Sequence, residues 1–259
     1  MLPKLSLAPM QDVSTLPLWR SMARRGAPDL WVTEYFRVHQ HSKPNPTILR
    51  SITHNDTGIP VIAQMIGNTP EYLVKMVHDL QEKSDCVGID VNLGCPAPRV
   101  CGKNSGGALL LNHALIREIA ETLRPVVTGT LTFKTRVGFE SEAEFDALLE
   151  LFAELPLDGL AIHGRTVREK YQSEVHTDEI ASAVKRLPYP VTANGSIVCN
   201  QTARSMVEKT GAAGLMVGRG AIRNPWIYQQ IRQELEGQPI FRPTLLDVKD
   251  YLFDLYAEI

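Results

Sequence analysis

Short apolar segments, each ending in polar residues or glycine and most followed by a stretch with helical periodicity, constrain this chain more than any other feature. Eight such strand candidates run Leu5–Ala8, Leu30–Tyr35, Val61–Ile66, Val87–Asn92, Leu131–Val137, Gly159–His163, Pro190–Asn194 and Gly214–Val217. Between them apolar residues recur at helical spacing: Leu73, Met76, Val77 and Leu80, then Ile116, Ile119, Ala120 and Leu123, then Phe145, Leu148, Leu149 and Phe152. Strand–helix alternation at this count within 259 residues predicts an α/β fold, a parallel (β/α)8 TIM barrel. A doubly wound open sheet is the alternative that the pattern leaves open.

In such a barrel, chemistry gathers at the C-terminal ends of the strands and on the loops that follow. The candidate strands end in Ala8-Pro9-Met10, Glu34, Gln64, Asn92 to Cys95, Lys134-Thr135-Arg136, His163-Gly164-Arg165, Asn194-Gly195-Ser196 and Gly218-Arg219-Gly220. On the fifth strand the period of two sets Leu131, Phe133 and Val137 on one face and Thr132, Lys134 and Arg136 on the other. The second face should look into the barrel, where a cation is costly without an anionic partner. The last two strand ends each combine glycine with a following helix start. Backbone N–H groups and the helix dipole there form a phosphate cradle with Arg219 as countercharge, a class of site that names no ligand by itself.

Composition enters as a set of exclusions. A formal charge of −2 argues against binding driven by overall basicity, yet leaves local basic patches and an RNA substrate open. No apolar run is long enough to span a bilayer and the opening segment MLPKLSLAPM has no signal-peptide core, so no membrane association and a cytoplasmic location are expected. The four cysteines Cys86, Cys95, Cys101 and Cys199 then belong to a reduced compartment. Cys95 and Cys101 lack the second pair or clustered histidines of a zinc site, so no metal is expected.

The stretch Ile89-Asp90-Val91-Asn92-Leu93-Gly94-Cys95-Pro96, with the loop running to Ser105-Gly106-Gly107-Ala108-Leu109-Leu110, closely resembles the signature of the tRNA-dihydrouridine synthases. These are flavin-dependent enzymes that reduce a uridine base in transfer RNA. The likeness extends through Leu7-Ala8-Pro9-Met10, Thr33-Glu34, Gln64, Lys134 to Gly138, His163 to Thr166 and both glycine cradles, covering essentially the whole barrel. The resemblance implies flavin mononucleotide (FMN) as cofactor, NADPH as reductant and tRNA as partner. It implies Cys95 as the acid: reducing the uracil C5–C6 bond needs hydride at C6 and a proton at C5, and a thiol near its free pKa of about 8.5 stays protonated at neutral pH.

The same resemblance assigns Pro9, Met10, Gln11, Gln64, Lys134, His163, Asn194, Gly195, Ser196, Gly218 and Arg219 to FMN, and Asn92, Tyr171, Glu34, Arg136 and Arg165 to the substrate. Lys134, with His163 nearby, would stabilise the anionic edge of a reduced flavin. Arg99, Lys103 and Arg168 are further candidates for RNA phosphates. The segment Thr33 to Val38 and the spacing to Tyr171 look most like the bacterial branch acting on D-loop position 16. Rival readings are a flavin barrel reducing a small pyrimidine or enone, similar to the dihydroorotate dehydrogenases, an RNA-binding barrel without turnover, and a flavin-free phosphate-binding isomerase.

Residues 1–240 are expected to form the catalytic barrel. Beyond Pro243, the spacing of Val248, Tyr251, Leu252 and Leu255 predicts an amphipathic helix. Residues 241–259 are expected to begin a C-terminal helical tRNA-binding domain that this chain does not complete, with docking of that helix on the barrel as the equal alternative. A monomer is expected.

Overall fold

The computed structural model describes residues 2–258. Nine parallel strands alternate with helices: β1 (Lys4–Leu7), β2 (Trp31–Val32), β3 (Phe36–Arg37), β4 (Val61–Ile66), β5 (Gly88–Asn92), β6 (Thr130–Arg136), β7 (Gly159–His163), β8 (Val191–Asn194) and β9 (Gly214–Val217). They pair in the order β1-β9-β8-β7-β6-β5-β4-β2, and a parallel bridge between Ser6 and Leu30 closes β1 onto β2. The helices are α1 (Leu16–Ala23), α2 (Pro46–Thr53), α3 (Pro70–Lys83), α4 (Pro98–Cys101), α5 (His113–Leu123), α6 (Phe145–Glu154), α7 (Thr177–Arg186), α8 (Asn200–Thr210), α9 (Arg219–Arg223), α10 (Ile227–Leu235) and α11 (Leu245–Glu258). This is the (β/α)8 barrel that the alternation predicts. Among the described residues, no helix is long and apolar enough to cross a membrane.

Local signals place these elements. Asn45 caps α2 by accepting from the Thr47 N–H at 2.9 Å, with Pro46 in the first turn. Ser141 and Glu144 form a capping box just before α6. The apolar stripes read from the sequence face the sheet: Leu73, Val77 and Leu80 on α3 and Ile116, Ile119 and Leu123 on α5 are fully buried. Their partners are the outward residues of the strands, Leu131 and Phe133 among them, so the core lies between sheet and helices. That leaves the barrel's inner upper layers for polar side chains.

Two expectations need correction. The second strand is not continuous over Leu30–Tyr35: β2 pairs Trp31 with Val61, whereas β3 pairs Phe36 with Met65, so one extra residue sits between them. At this bulge the Thr33 hydroxyl, not a backbone carbonyl, accepts from the Gln64 N–H at 3.0 Å. The second concerns α11, where Tyr251 is buried and Leu255 packs partly buried against the core as the stripe predicts, but Val248 and Leu252 are 37% and 58% exposed. Ion pairs set the face: Asp254 meets Arg25 at 2.5 Å and Glu258 meets Arg20 of α1 and Arg24 just after it, with Tyr251 between Arg25 and Trp226.

Candidate active site

Gln64, Asp90 and Thr132 stand in register on β4, β5 and β6 and form one polar layer inside the barrel. Asp90 accepts from Gln64 Nε2 at 2.8 Å and from Thr132 Oγ1 at 2.6 Å. Burial lifts its carboxyl to about 6, although these two donors and the charge of Lys134 pull it back. Two residues along β5, Asn92 Nδ2 donates to Gln64 Oε1 at 2.9 Å, and Asn92 Oδ1 accepts from the N–H groups of Gly94 (3.1 Å) and Cys95 (2.9 Å). An Asx turn on a buried amide chain therefore sets the path of the loop carrying Cys95. Behind that loop, Gly106 at φ +59° packs so closely that a Cβ would lie 3.0 Å from Cys95 Cβ and 2.8 Å from Val100 Cγ1.

Above this layer opens a cavity of about 550 Å³ at the C-terminal ends of the strands. Lys134, Arg136, Arg165, Lys170 and Arg219 line it, and among the described residues no carboxylate does. Lys134 Nζ donates to Asn194 Oδ1 at 3.4 Å, and Asn194 is itself held by Nδ2 donating to the Met216 carbonyl at 2.7 Å. Loss of hydration, then the charge of Arg136, brings Lys134 down to about 8. His163 lies well below the usual histidine range, from burial first and then from the surrounding cations. Its Nε2, 3.3 Å from Arg165 Nη1, accepts from a group that can only donate, so the ring is neutral with the proton on Nδ1.

Arg136 is 2% exposed and donates to the carbonyls of Gly94, Thr166 and Lys170, each at 2.8 Å. It thus ties the Cys95 loop to the loop after β7. Tyr171, half exposed, lies between two guanidinium groups, with Arg219 Cζ 4.6 Å and Arg136 Cζ 5.4 Å from its ring centre. Arg165 also donates to Ser196 Oγ at 2.8 Å, joining the β7 and β8 loops. At Gly218 a Cβ would find nothing closer than Ala8 Cβ at 3.6 Å, so the cradle is open to a ligand there.

All the cofactor residues expected from the sequence line this cavity except Gln64, and all the expected substrate residues except Glu34. Gln64 is fully buried one layer below, with both ends of its amide engaged. Glu34 accepts from Gln11 Nε2 at 2.8 Å and from the Asp12 N–H at 3.0 Å, and burial raises its carboxyl. It braces the loop after β1, which leaves Gln11 Oε1 buried without a hydrogen-bond partner. Arg168 is held by Glu140 at 2.8 Å.

Three residues at or beneath the site were not anticipated: Asp90, Tyr35 and Lys170. Asp90 carried a signal, an acid in the apolar run Gly-Ile-Asp-Val-Asn two residues before Asn92 and so on the same strand face. Tyr35 lines the cavity beside Cys95, and its hydroxyl is pushed up by burial first and by the neighbouring Cys95 second. Among the described residues, no group of three or more His, Cys, Asp or Glu is placed to hold a metal ion.

Residues 6–252 match the family model described as Dihydrouridine synthase. The chain is similar to the tRNA-dihydrouridine synthase B of Pseudomonas aeruginosa, 31% identical over 258 residues that cover 99% of this chain and 77% of that protein. It is also similar to the tRNA-dihydrouridine(16) synthase of Haemophilus ducreyi, 30% identical over 240 residues that cover 89% of this chain and 74% of that one. Among solved structures, histamine dehydrogenase from Rhizobium sp. 4-9 superposes with a TM-score of 0.66 at 13% identity, over 98% of this chain and 49% of that one. That likeness carries the barrel fold alone.

Proposed function

The chain belongs to the dihydrouridine synthase family, and on that premise we propose that its cavity binds FMN and reduces the C5–C6 double bond of a specific uridine in tRNA, with NADPH as reductant. The observation that carries this reading is a cationic cavity free of lining carboxylates with Cys95 on its wall. The residues present fit an anionic, ring-bearing cofactor. The cradle is open at Gly218, Gln11 Oε1 is an unpaired acceptor, and Lys134 is a desolvated cation with one long hydrogen bond.

Asn194, Gly195, Ser196, Gly218 and Arg219 would hold the cofactor phosphate, where backbone N–H groups and helix starts favour an anion. Lys134, beside neutral His163, would meet the anionic edge of the ring system, with Pro9, Met10 and Gln11 along the wall that β1 contributes. When bound, the reduced flavin supplies hydride to C6 of the uracil. Cys95 Sγ holds the proton for C5. The second Nδ2 proton of Asn92 is left to donate to a uracil carbonyl, because its other polar groups are engaged. Tyr171 offers a ring face to a base taken out of its stack, and Arg136 and Arg165 hold the loops on either side. Gln64 acts through Asn92, and Glu34 through Gln11.

Residues 241–259 belong, in this reading, to a helical tRNA-binding unit; the outward side chains Leu245, Phe253 and Tyr256, at 88%, 66% and 82% exposed, support that assignment. The protein works as a cytoplasmic monomer, and position 16 of the D-loop is the target its Thr33–Val38 segment favours. The test is a visible spectrum of the purified protein with mass analysis of the cofactor released by heat, followed by turnover of an unmodified tRNA transcript with NADPH. A flavin band, released FMN and dihydrouridine at position 16 are expected. A colourless protein that added flavin cannot load would overturn the reading.

A further inference from the structure

Beside the catalytic cavity lies a second one of about 440 Å³. The two share Tyr35 and Pro98 as lining residues, so an aromatic ring and a proline ring form the wall between them. Inside the second cavity Ile66 and Val100 supply apolar surface, and Arg37, Arg99 and Lys103 supply cations, with His39 beside them. Arg37 Cζ lies 5.6 Å from the centre of the Tyr35 ring. The loop carrying Lys103 is fixed by Asn68 Nδ2, which donates to the Lys103 carbonyl at 3.0 Å.

Several arginines elsewhere on the molecule are neutralised. Arg117, Arg124, Arg186, Arg204 and Arg232 each pair with a carboxylate. Among the described residues Arg37, Arg99 and Lys103 make no ion pair, and no carboxylate lines the second cavity. Unpaired cations around an apolar, aromatic-walled pocket match a ligand with a flat base and a phosphate. A base that leaves its stack to enter the first cavity splays the strand on either side, and its neighbour loses a stacking partner. Two cavities one ring apart suit two successive nucleotides of such a strand.

We propose that the second cavity binds the nucleotide next to the target uridine in the RNA, its base against Tyr35 and its phosphate among Arg37, Arg99 and Lys103. This rests on the reading that the first cavity takes a uridine of RNA. It makes the pair of cavities a dinucleotide reader, in which the flanking nucleotide contributes to the choice of target.

Equilibrium dialysis against the dinucleotide UpU and against uridine 5′-monophosphate tests this without turnover. The flavin-loaded full chain is compared with the double variant Arg99→Ala/Lys103→Ala and with Arg99→Glu. The wild type should bind UpU about tenfold more tightly than the mononucleotide, and both variants should lose most of that preference. With an unmodified tRNA transcript, KM should rise several-fold in the variants while kcat changes little. Equal binding of the two probes by the wild type, or a preference that survives both variants, overturns the proposal. So does a variant whose main defect is slower flavin reduction by NADPH, which would assign the groove to the nicotinamide nucleotide. A wild type that prefers UpU yet forms no dihydrouridine overturns the uridine-reduction reading instead.

Discussion

Gln64 and Asp90 face each other in register on neighbouring strands, the amide donating to a carboxylate that is 4% exposed at 2.8 Å. Among the described residues no arginine or lysine makes a hydrogen bond or ion pair with that carboxylate; its partners are one amide and one hydroxyl. The acid is thus held in the barrel by dipoles, and the Asn92 turn that carries Cys95 is built on the same amide.

A consequence is measurable by pH. The Asp90 pKa moves from 3.8 unfolded to about 6 folded, so between those values the unfolded chain has released a proton that the folded chain retains. Stability from this group falls as pH rises through that window, by about 3 kcal/mol at about 1.4 kcal/mol per unit. Denaturant unfolding of wild type and Asp90→Asn should therefore show a stability difference that shifts toward the variant by roughly that amount between pH 4 and 7. A difference independent of pH would mean that the carboxyl titrates as in water.

For Lys134 the pKa moves the other way, down rather than up. Its pKa of about 8 in the cofactor-free protein means that the charge which would attract the anionic ring of a reduced flavin is lost as pH rises above that value. Affinity for reduced FMN should be level below pH 8 and weaken by up to about tenfold per unit above it. Lys134→Met should bind reduced FMN weakly at every pH, without the break. Anaerobic titration of the apoprotein with reduced FMN between pH 6.5 and 9.5, followed by tryptophan fluorescence, measures both.

Cys95→Ala should keep its flavin spectrum and its reduction by NADPH, and lose dihydrouridine formation by roughly 10²- to 10⁴-fold, the usual worth of a positioned acid. Single-turnover reaction of the reduced enzyme with tRNA reads the step directly. Parent-rate product from the alanine variant would remove the thiol from the mechanism.

Gly106→Ala tests whether the position of Cys95 matters apart from its chemistry. The new methyl group at φ +59° would press on Cys95 Cβ and Val100 Cγ1, at a cost of about 1–3 kcal/mol in stability. Turnover should drop at least tenfold, the scale of a displaced reacting group, while FMN is retained. Thermal melting and tRNA turnover on the same preparation separate the two effects.

The barrel was legible because its signal is periodic: period two on Leu131 to Arg136 and helical spacing on Leu73 to Leu80 report burial directly. Most of the site was legible because it sits at strand ends. Depth was harder to read. Gln64 and Lys134 both occur at the inner upper end of a strand, and only the three-dimensional register puts Lys134 into the cavity and Gln64 beneath it. The split of the second strand was hidden because a threonine side chain replaces a backbone acceptor, and β propensity does not distinguish the two. On α11, apolar spacing identified Tyr251 and Leu255, while Arg24 and Arg25 just after α1, distant in sequence, turned the face toward Asp254 and Glu258 and left Val248 and Leu252 outside.

The extra residue between β2 and β3 acts as a phase setting. Side chains on a strand alternate, so a one-residue change exchanges inside for outside. With the bulge in place Tyr35 stands at the mouth and Phe36, 1% exposed, points into the core. Without the extra residue the strand would run straight from Val32, opposite Ile62, to Phe36, opposite Met65, and would lack one of the two side chains, Thr33 or Glu34, that hold Gln64 and Gln11. One inserted residue thus lets a single strand supply both the aromatic wall between the cavities and the two braces beneath the site.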